Sequence, residues 1–171
     1  MKQLIPNTQT VNPDRKYFTE WCEPWGDVFI KYDSVINRGV NEAEKLRLLD
    51  HKFIQSYCES CIDRTVHVLK TVFFEGETLE NAVLHEEDLI VIKSQLLEVA
   101  SYLAAKGVIH QDINVSNVLW NGEQILVIDW ESAVFGHNNT DILGLHSHSG
   151  ILNTMSVIFE RLRSETLDPN G

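Results

Sequence analysis

The stretch Gly107-Val-Ile-His-Gln-Asp-Ile-Asn-Val-Ser-Asn-Val-Leu-Trp120, followed by Ile125-Leu-Val-Ile-Asp-Trp-Glu131, is the most informative part of this chain. It sets Asp112 five residues before Asn117 and places Asp129 at the end of a second apolar run. A proton-accepting carboxylate, an amide and a metal-binding carboxylate at these spacings are the groups that phosphoryl transfer from ATP requires. Because one Asp-x4-Asn spacing is weak evidence alone, the remaining groups must be sought elsewhere in the chain.

The bulk composition is that of a soluble globular protein. The chain has 171 residues, of which 43% are hydrophobic and 23% charged, enough for one domain or two small lobes that share a cleft. A net charge of −11 argues against binding to nucleic acid or anionic membranes. It does not exclude ATP, because a local lysine and a metal can hold a triphosphate. With no apolar run of membrane-spanning length and no Sec-type signal peptide, we expect a cytoplasmic protein, or an effector secreted by another route.

The three cysteines predict reduced thiols. An odd count without a secretory signal is typical of a reducing cytosol. Cys58-Glu-Ser-Cys61 has the spacing of half a zinc site or of a redox pair, with His51 or His67 needed as a further ligand. This metal or redox alternative stays open beside buried or idle thiols.

The first half of the chain predicts a β-rich lobe with one helix. Residues 1–15 carry prolines and no periodicity, which indicates a loosely held arm. Residues 27–32 alternate apolar and polar side chains like a half-buried strand, and residues 66–74 are rich in valine, leucine and phenylalanine. Between them, apolar residues at three- and four-residue steps predict a helix over residues 41–57. We expect this lobe to span residues 16–74.

The second half predicts a mainly helical lobe over residues 75–165. Residues 87–106 form an amphipathic pattern, and Gly107 follows as a left-handed helix cap. Residues 118–128 surround Asn121-Gly122, the strongest two-residue signal for a hairpin turn. A closing helix is predicted over residues 142–162. The expected fold class is therefore α+β, with two lobes and the quoted loop between a helix and a hairpin.

These elements and residues resemble the protein-kinase-like superfamily over residues 27–160. Val28-Phe-Ile-Lys31 is similar to the strand whose lysine contacts the α- and β-phosphates of ATP. Glu42 is similar to the helix glutamate that pairs with this lysine. The segment similar to the hinge, whose backbone groups bind adenine, contains Val72, Phe73 and Phe74.

The quoted loop resembles the catalytic loop of that superfamily. The match is His110-x-Asp112-x4-Asn117. The resemblance implies that Asp112 accepts the proton of the attacking hydroxyl and that His110 braces the loop. Asp141 is similar to a buried aspartate that ties the catalytic loop to the following helix.

The second apolar run resembles the metal-binding segment. The resemblance implies that Asn117 and Asp129 are oxygen ligands for Mg²⁺, a hard cation. Asp129-Trp-Glu131 is the form seen in aminoglycoside and choline kinases, whereas eukaryotic-type protein kinases have Asp-Phe-Gly.

Three departures from the family pattern define the expected variant as a minimal kinase. Its C-terminal lobe is expected to be reduced, because only nine residues separate Glu131 from Asp141. Only Gly26 is available upstream of Lys31 to cover the phosphates. Gln111 replaces an arginine that senses phosphorylation of the activation segment. Asn114 replaces the lysine typical of serine/threonine protein kinases, and minimal effector kinases secreted by bacterial pathogens can carry asparagine there.

The resemblance implies an ATP- and Mg²⁺-dependent phosphotransferase that acts on a hydroxyl. The shortened C-terminal lobe favours a protein acceptor, which could be a host protein, over an enclosed small molecule. Two alternatives remain open: a small-molecule kinase of the aminoglycoside or choline kinase type, and a pseudokinase that only binds a partner. Retention of Lys31, Asp112, Asn117 and Asp129 together argues against the pseudokinase.

Overall fold

The computed structural model describes the backbone of residues 23–25, 28–136 and 140–167, and the side chains of residues 28–136 and 149–164. The elements are β1 (Glu23–Trp25), β2 (Val28–Asp33), α1 (Ile36–Leu46), β3 (Tyr57–Asp63), β4 (Val66–Val72), β5 (Glu77–Thr78), α2 (Glu86–Lys106), β6 (Val108–Ile109), β7 (Val118–Trp120), β8 (Ile125–Val127), β9 (Val134–Phe135) and α3 (Thr140–Leu167). Small sheets and three helices in the described part confirm the predicted α+β class. The predicted N-terminal arm, residues 1–15, lies outside the described residues.

The largest sheet has four antiparallel strands in the order β1-β2-β4-β3. In β2 the side chains of Lys31 and Asp33 are buried and that of Tyr32, between them, is exposed. This alternation follows from the two-residue period of a strand. The register pairs Lys31 with the buried Leu69 of β4, so the lysine lies on the inner face of the sheet.

The helix predicted over residues 41–57 is wrong in its bounds. The observed α1 spans Ile36–Leu46, and Asn41 lies in its interior rather than at its N-terminus. Leu49 and Phe53 are buried as the periodicity suggested, but they lie in the loop after the helix. That loop packs its apolar side chains into the same core as the helix. Its apolar residues therefore continue the helical spacing in the sequence although the backbone is no longer helical.

The predicted strand over residues 66–74 ends at Val72, and a neighbouring strand was not predicted. β3 pairs with β4 at the edge of the sheet. Most of its side chains are exposed or partly exposed, without a strict alternation. An exposed edge strand gains most of its stability from backbone pairing, which leaves little pattern in the side chains.

The second half of the fold follows the predicted order. α2 ends at Gly107, whose φ of 65° is the left-handed cap conformation that glycine adopts without a steric penalty. β7 and β8 form the predicted hairpin with Val118 opposite Val127. Its connection has four residues rather than two, because the Asn121 side chain accepts hydrogen bonds from the backbone N–H groups of residues 123 and 124 at 3.0 and 2.9 Å.

The closing helix α3, longer than its predicted 142–162, supports the loop that contains Asp112. A Cβ at Gly150 would lie 3.2 Å from the backbone oxygen of Ile113, so glycine permits a close approach there. The Thr154 hydroxyl donates to the backbone oxygen of Gly150 at 2.8 Å and lies 3.4 Å from the same Ile113 oxygen. None of the helices in the described part of the chain is long and apolar enough to cross a membrane.

Candidate active site

Lys31 forms a buried ion pair with Glu42 and also contacts Asp129. Its Nζ lies 2.9 Å from Glu42 Oε2 and 2.9 Å from Asp129 Oδ1. The side chains of Lys31 and Glu42 are 8% and 1% exposed, and that of Asp129 is 32% exposed. A strand, a helix and the segment after β8 therefore bring together three charged residues that are far apart in the sequence.

The two carboxylates keep Lys31 positively charged. Burial by itself lowers the pKa of Lys31, but attraction to Glu42 and to Asp129 outweighs burial and raises that pKa above its ordinary value. Burial raises the pKa of the Glu42 carboxyl, and the Lys31 ammonium offsets part of the rise. The direct contact and the high pKa of the lysine favour the ionised pair.

Asp112 is held by two asparagine side chains, one at each carboxylate oxygen. Asn114 Nδ2 donates to Asp112 Oδ1, and Asn117 Nδ2 donates to Asp112 Oδ2, both at 2.8 Å. Asn114 is itself fixed, since its Oδ1 accepts the backbone N–H of Ser116 at 2.9 Å. Asp112 is exposed at the end of this network, so its carboxylate is accessible to an incoming hydroxyl.

The hairpin brings the two predicted metal ligands to the same end. Asn117 and Asp129 flank β7 and β8, and the backbone N–H of Ile128 donates to the backbone oxygen of Asn117 at 3.0 Å. Because Asn117 Nδ2 bonds to Asp112, its carbonyl Oδ1 is the atom that remains for a metal. An amide oxygen and a carboxylate are ligands that Mg²⁺ accepts, with phosphates and water completing the shell. The residues therefore fit this ion.

Two residues of the site have backbone conformations that side chains rarely adopt. Gln111 and Asp129 have φ values of 70° and 64°, in the left-handed region. Such conformations cost free energy for residues other than glycine and persist where the surrounding structure enforces them. Both lie next to or within the predicted catalytic and metal-binding segments, which is where such strain is commonly found.

His110 joins the catalytic loop to the metal-binding segment. Its ring is 1% exposed and packs edge-on against Trp130 with a centroid distance of 4.5 Å. Nε2 lies 3.0 Å from the backbone oxygen of Ile128, and Nδ1 accepts the backbone N–H of Asp112 at 3.3 Å. These partners define a neutral ring with the proton on Nε2, which suits the bracing role predicted from the sequence.

The buried His110 predicts a loss of stability in acid. Burial lowers its folded-state pKa below the ordinary value of 6.5, so below that pH the unfolded chain binds a proton that the folded chain resists. We expect the free energy of unfolding to fall between pH 7.5 and 5, and to fall less in His110→Gln. Urea unfolding at several pH values measures this, with the exposed His85→Gln as the control. Equal slopes in wild type and His110→Gln would contradict the prediction.

The predicted hinge residues begin at Val72, the last residue of β4. Val72 and Phe73 are exposed and Phe74 is half-buried. Val72 pairs with Val28, three residues before Lys31 on β2, which is about 10 Å along the strand. The hinge and the lysine therefore lie along the same pair of strands. Gly76 lets the chain pass tightly beyond the hinge, because a Cβ there would lie 2.8 Å from the backbone oxygen of Trp120.

Some sequence-predicted features lie outside the described residues. The side chain of Asp141 is among them, although its backbone belongs to α3, and so is Gly26. Cys58 and Cys61 are both exposed on β3. Across the side chains that the structure describes, no group of three or more His, Cys, Asp or Glu residues could hold a metal ion.

Four residues were not predicted as part of the site. Asn114 appeared in the sequence only as a departure from a pattern, yet it positions Asp112. Arg38 and Asn41 of α1 contact the segment after Asp129, and Glu131 is one of their partners. An asparagine two residues after a loop aspartate signals a local side-chain contact, so Asn114 could have been found. No local sequence pattern indicated that Arg38 and Asn41 of α1 would contact the segment after Asp129.

Comparison with known proteins identifies the family. A family model described as "Protein kinase domain" matches residues 30–156. This match covers more than half of the chain and contains every predicted site residue from Lys31 to Asp141. The chain therefore belongs to the protein kinase family, whose members are phosphotransferases.

A curated relative gives weaker support from part of its sequence. The chain is 30% identical over 98 residues to "Probable casein kinase II subunit alpha homolog" from Encephalitozoon cuniculi. The alignment covers 54% of this chain and 31% of that protein. The chain thus spans about a third of the length of the curated relative that it matches.

Proposed function

We propose that this chain is an ATP- and Mg²⁺-dependent kinase that transfers the γ-phosphate of ATP to a serine or threonine hydroxyl of a protein. The observation that carries the proposal is the Lys31–Glu42–Asp129 contact, joined through His110 and Asn117 to Asp112. Phosphoryl transfer needs little covalent help from a protein and depends on positioning and charge stabilisation. This cluster supplies both.

The nucleotide lies, in this proposal, between the hinge and Lys31. Backbone groups of Val72, Phe73 and Phe74 bind adenine at the end of β4. The Lys31 ammonium, kept charged by Glu42, contacts the α- and β-phosphates. Because Glu42 is almost fully buried and ionically paired, it fixes where the lysine ammonium sits.

Asn117 and Asp129 hold Mg²⁺ in this proposal. When bound, Mg²⁺ neutralises the charge on the β- and γ-phosphates. Asn117 also donates to Asp112, so one side chain links the metal-binding position to the proposed base. Asp112 orients the acceptor hydroxyl and accepts its proton, with both carboxylate oxygens fixed by asparagine amides.

A protein acceptor is supported by three observations. The matching family model is that of protein kinases, and the curated relative is a casein kinase II subunit homolog. Asp112 is exposed, which allows a loop of another protein to approach it. Minimal effector kinases can carry an asparagine at the position of Asn114, and this similarity supports a host protein as the acceptor.

The Asp129-Trp130-Glu131 sequence favours a second candidate function, a small-molecule kinase. Glu131 is partly buried and contacts Arg38 of α1, so the glutamate is built into the site rather than loosely exposed. Asp-Trp-Glu is the form of this segment that the sequence resemblance associates with aminoglycoside and choline kinases.

Transfer of label from γ-labelled ATP tests the proposal and separates its alternatives. We expect a cell lysate or a mixture of basic and acidic proteins to gain label on serine or threonine, with Mg²⁺ and not with excess EDTA. Phosphoamino-acid analysis identifies the acceptor residue. Label found only in the small-molecule fraction would select the second candidate. Absence of both transfer and ATP binding would reject a kinase and favour a pseudokinase.

A further inference from the structure

The helix α3 carries a second apolar stripe beside the one that it buries. The buried stripe includes Ile151 and Ile158, which are 2% and 1% exposed. The residues of the second stripe follow one another at steps of three, four and three, the spacing through which helices pair. They are Leu152, Met155, Phe159 and Leu162. We name these four residues the outer stripe; its Leu152 and Phe159 are 65% and 56% exposed.

A cavity of about 350 Å³ lies at one end of the outer stripe, where α3 passes the first turns of α2. Its lining is apolar apart from two charged residues, and consists of Glu86, Leu89, Ile90, Phe159, Leu162 and Arg163. Ile90 is 75% exposed. Apolar side chains that are exposed together around a concave site mark a place where a partner binds.

Leu152, near the other end of the outer stripe, is suited to fill this cavity. It lies seven residues before Phe159, which is two turns or about 10 Å along the helix. Two copies of α3 that pair antiparallel about a two-fold axis near Met155 bring the partner's Leu152 opposite Phe159, and the symmetry makes the same contact twice. One stripe therefore carries both a protruding side chain and a cavity, at the spacing that a second copy requires.

The polar edge of the outer stripe favours the antiparallel orientation. Asn153 and Glu160 lie along this edge, are both exposed, and are again seven residues apart. Antiparallel pairing brings the Glu160 carboxylate close to the partner's Asn153, whose amide is a hydrogen-bond donor. Parallel pairing would bring the two Glu160 carboxylates together, and like charges on neighbouring helices repel.

We propose that this protein forms a symmetric dimer through the outer stripe of α3, in which the partner's Leu152 occupies the cavity beside Phe159. The occupant is a second copy of this chain, because the stripe is complementary to itself in both its apolar and its polar positions. The dimer does not depend on the proposed kinase activity, since no residue of the outer stripe belongs to the candidate active site.

Sedimentation equilibrium of the full chain tests the dimer. The wild-type protein is expected to approach twice the mass of one chain as its concentration rises through the micromolar range. Leu152→Glu places a charge in the apolar contact, and we expect it to raise the dissociation constant at least about 30-fold, as for a central interface residue. Phe159→Glu is expected to act in the same way. Both positions are exposed, so thermal melting is expected to show that each variant is folded.

The matched control is Val157→Glu, which makes the same kind of change on the same helix. Val157 is 47% exposed and lies two residues before Phe159, so it faces away from the outer stripe. Its substitution is expected to leave the dissociation constant within twofold of the wild-type value. An equal loss of the dimer in all three variants would overturn the proposal, because the outer stripe would then have no special part in it.

Disulfide cross-linking tests the antiparallel register. The three native cysteines are first changed to serine. Chains with Leu152→Cys are then mixed with chains with Phe159→Cys and treated with oxidised glutathione. We expect each variant to cross-link to the other and neither to itself, since equivalent residues lie about 10 Å apart in this register and a disulfide cannot bridge that distance. Cross-linking of Leu152→Cys chains to one another would overturn the register.

Two further outcomes would overturn the dimer itself. One is a wild-type protein that stays monomeric throughout the micromolar range, including the case in which its outer stripe instead binds an amphipathic helix of another protein. The other is a wild-type dimer that Leu152→Glu and Phe159→Glu both leave intact, because the two copies would then be joined by a different surface.

Discussion

Asp112→Asn is expected to reduce the rate of phosphate transfer by about 100- to 10,000-fold, the usual contribution of a positioned general base. The substitution keeps the side-chain size and removes the proton acceptor. It also sets an NH₂ group against Asn114 or Asn117, both of which donate to Asp112 in the wild-type loop. ATP binding is expected to remain, because Asp112 does not contact the proposed nucleotide position. Steady-state kinetics and ATP titration measure the two effects separately.

The matched control for this prediction is Asp63→Asn. Asp63 is an exposed residue at the end of β3, so the same chemical change there tests for nonspecific effects on charge or expression. Transfer by Asp112→Asn within twofold of the wild-type rate would exclude Asp112 as the base. Asn114→Ala is a useful intermediate, since it frees one carboxylate oxygen and retains the base.

Lys31→Met is expected to remove phosphate transfer and to lower the free energy of unfolding by about 3–5 kcal/mol, the usual cost of breaking a buried ion pair from one side. The change leaves the Glu42 carboxylate, 1% exposed, near Asp129 without its cation. The Glu42 carboxylate is shielded from water, and the neighbouring Asp129 carboxylate repels its charge. Denaturant unfolding measures the stability loss, and nucleotide titration measures the loss of ATP binding.

The double variant Lys31→Met/Glu42→Gln separates stability from function. Glutamine carries no charge and can still accept the Trp130 N–H at the position of Glu42 Oε1. We expect it to recover part of the lost stability without recovering ATP binding or transfer. A double variant no more stable than Lys31→Met would show that the pair is not the source of the stability loss. Full activity in Lys31→Met would instead exclude Lys31 from the phosphate site.

The sequence predicted well where one local pattern governs the structure. α2 and its Gly107 cap were predicted within one residue, because a long amphipathic helix and a left-handed glycine both depend on neighbouring positions. The hairpin was found from Asn121-Gly122, although its connection is longer than expected. The helix at residues 41–57 was wrong because Leu49 and Phe53 fill the core from a loop, and periodicity cannot distinguish the two.

The residues of the candidate site also differ in whether a local sequence pattern could predict them. Spacing within one segment singled out Asp112, Asn117 and Asp129, because a catalytic loop and its hairpin place residues through local backbone geometry. The resemblance added Lys31 and Glu42, and the structure brings these two together at 2.9 Å. Their catalytic and metal-binding roles stay predictions until the variants above are measured.

The amino-acid sequence was sufficient to predict the α+β class, the order of most elements and the chemical types gathered in the loop and hairpin. The contacts of Asn41 and Arg38 of α1 with the chain beyond Asp129 could be found only from the folded structure. The physical reason is that such contacts join residues about 90 positions apart through single side chains and backbone carbonyls. They require a particular docking of helix on loop, and no periodicity or local spacing encodes that docking.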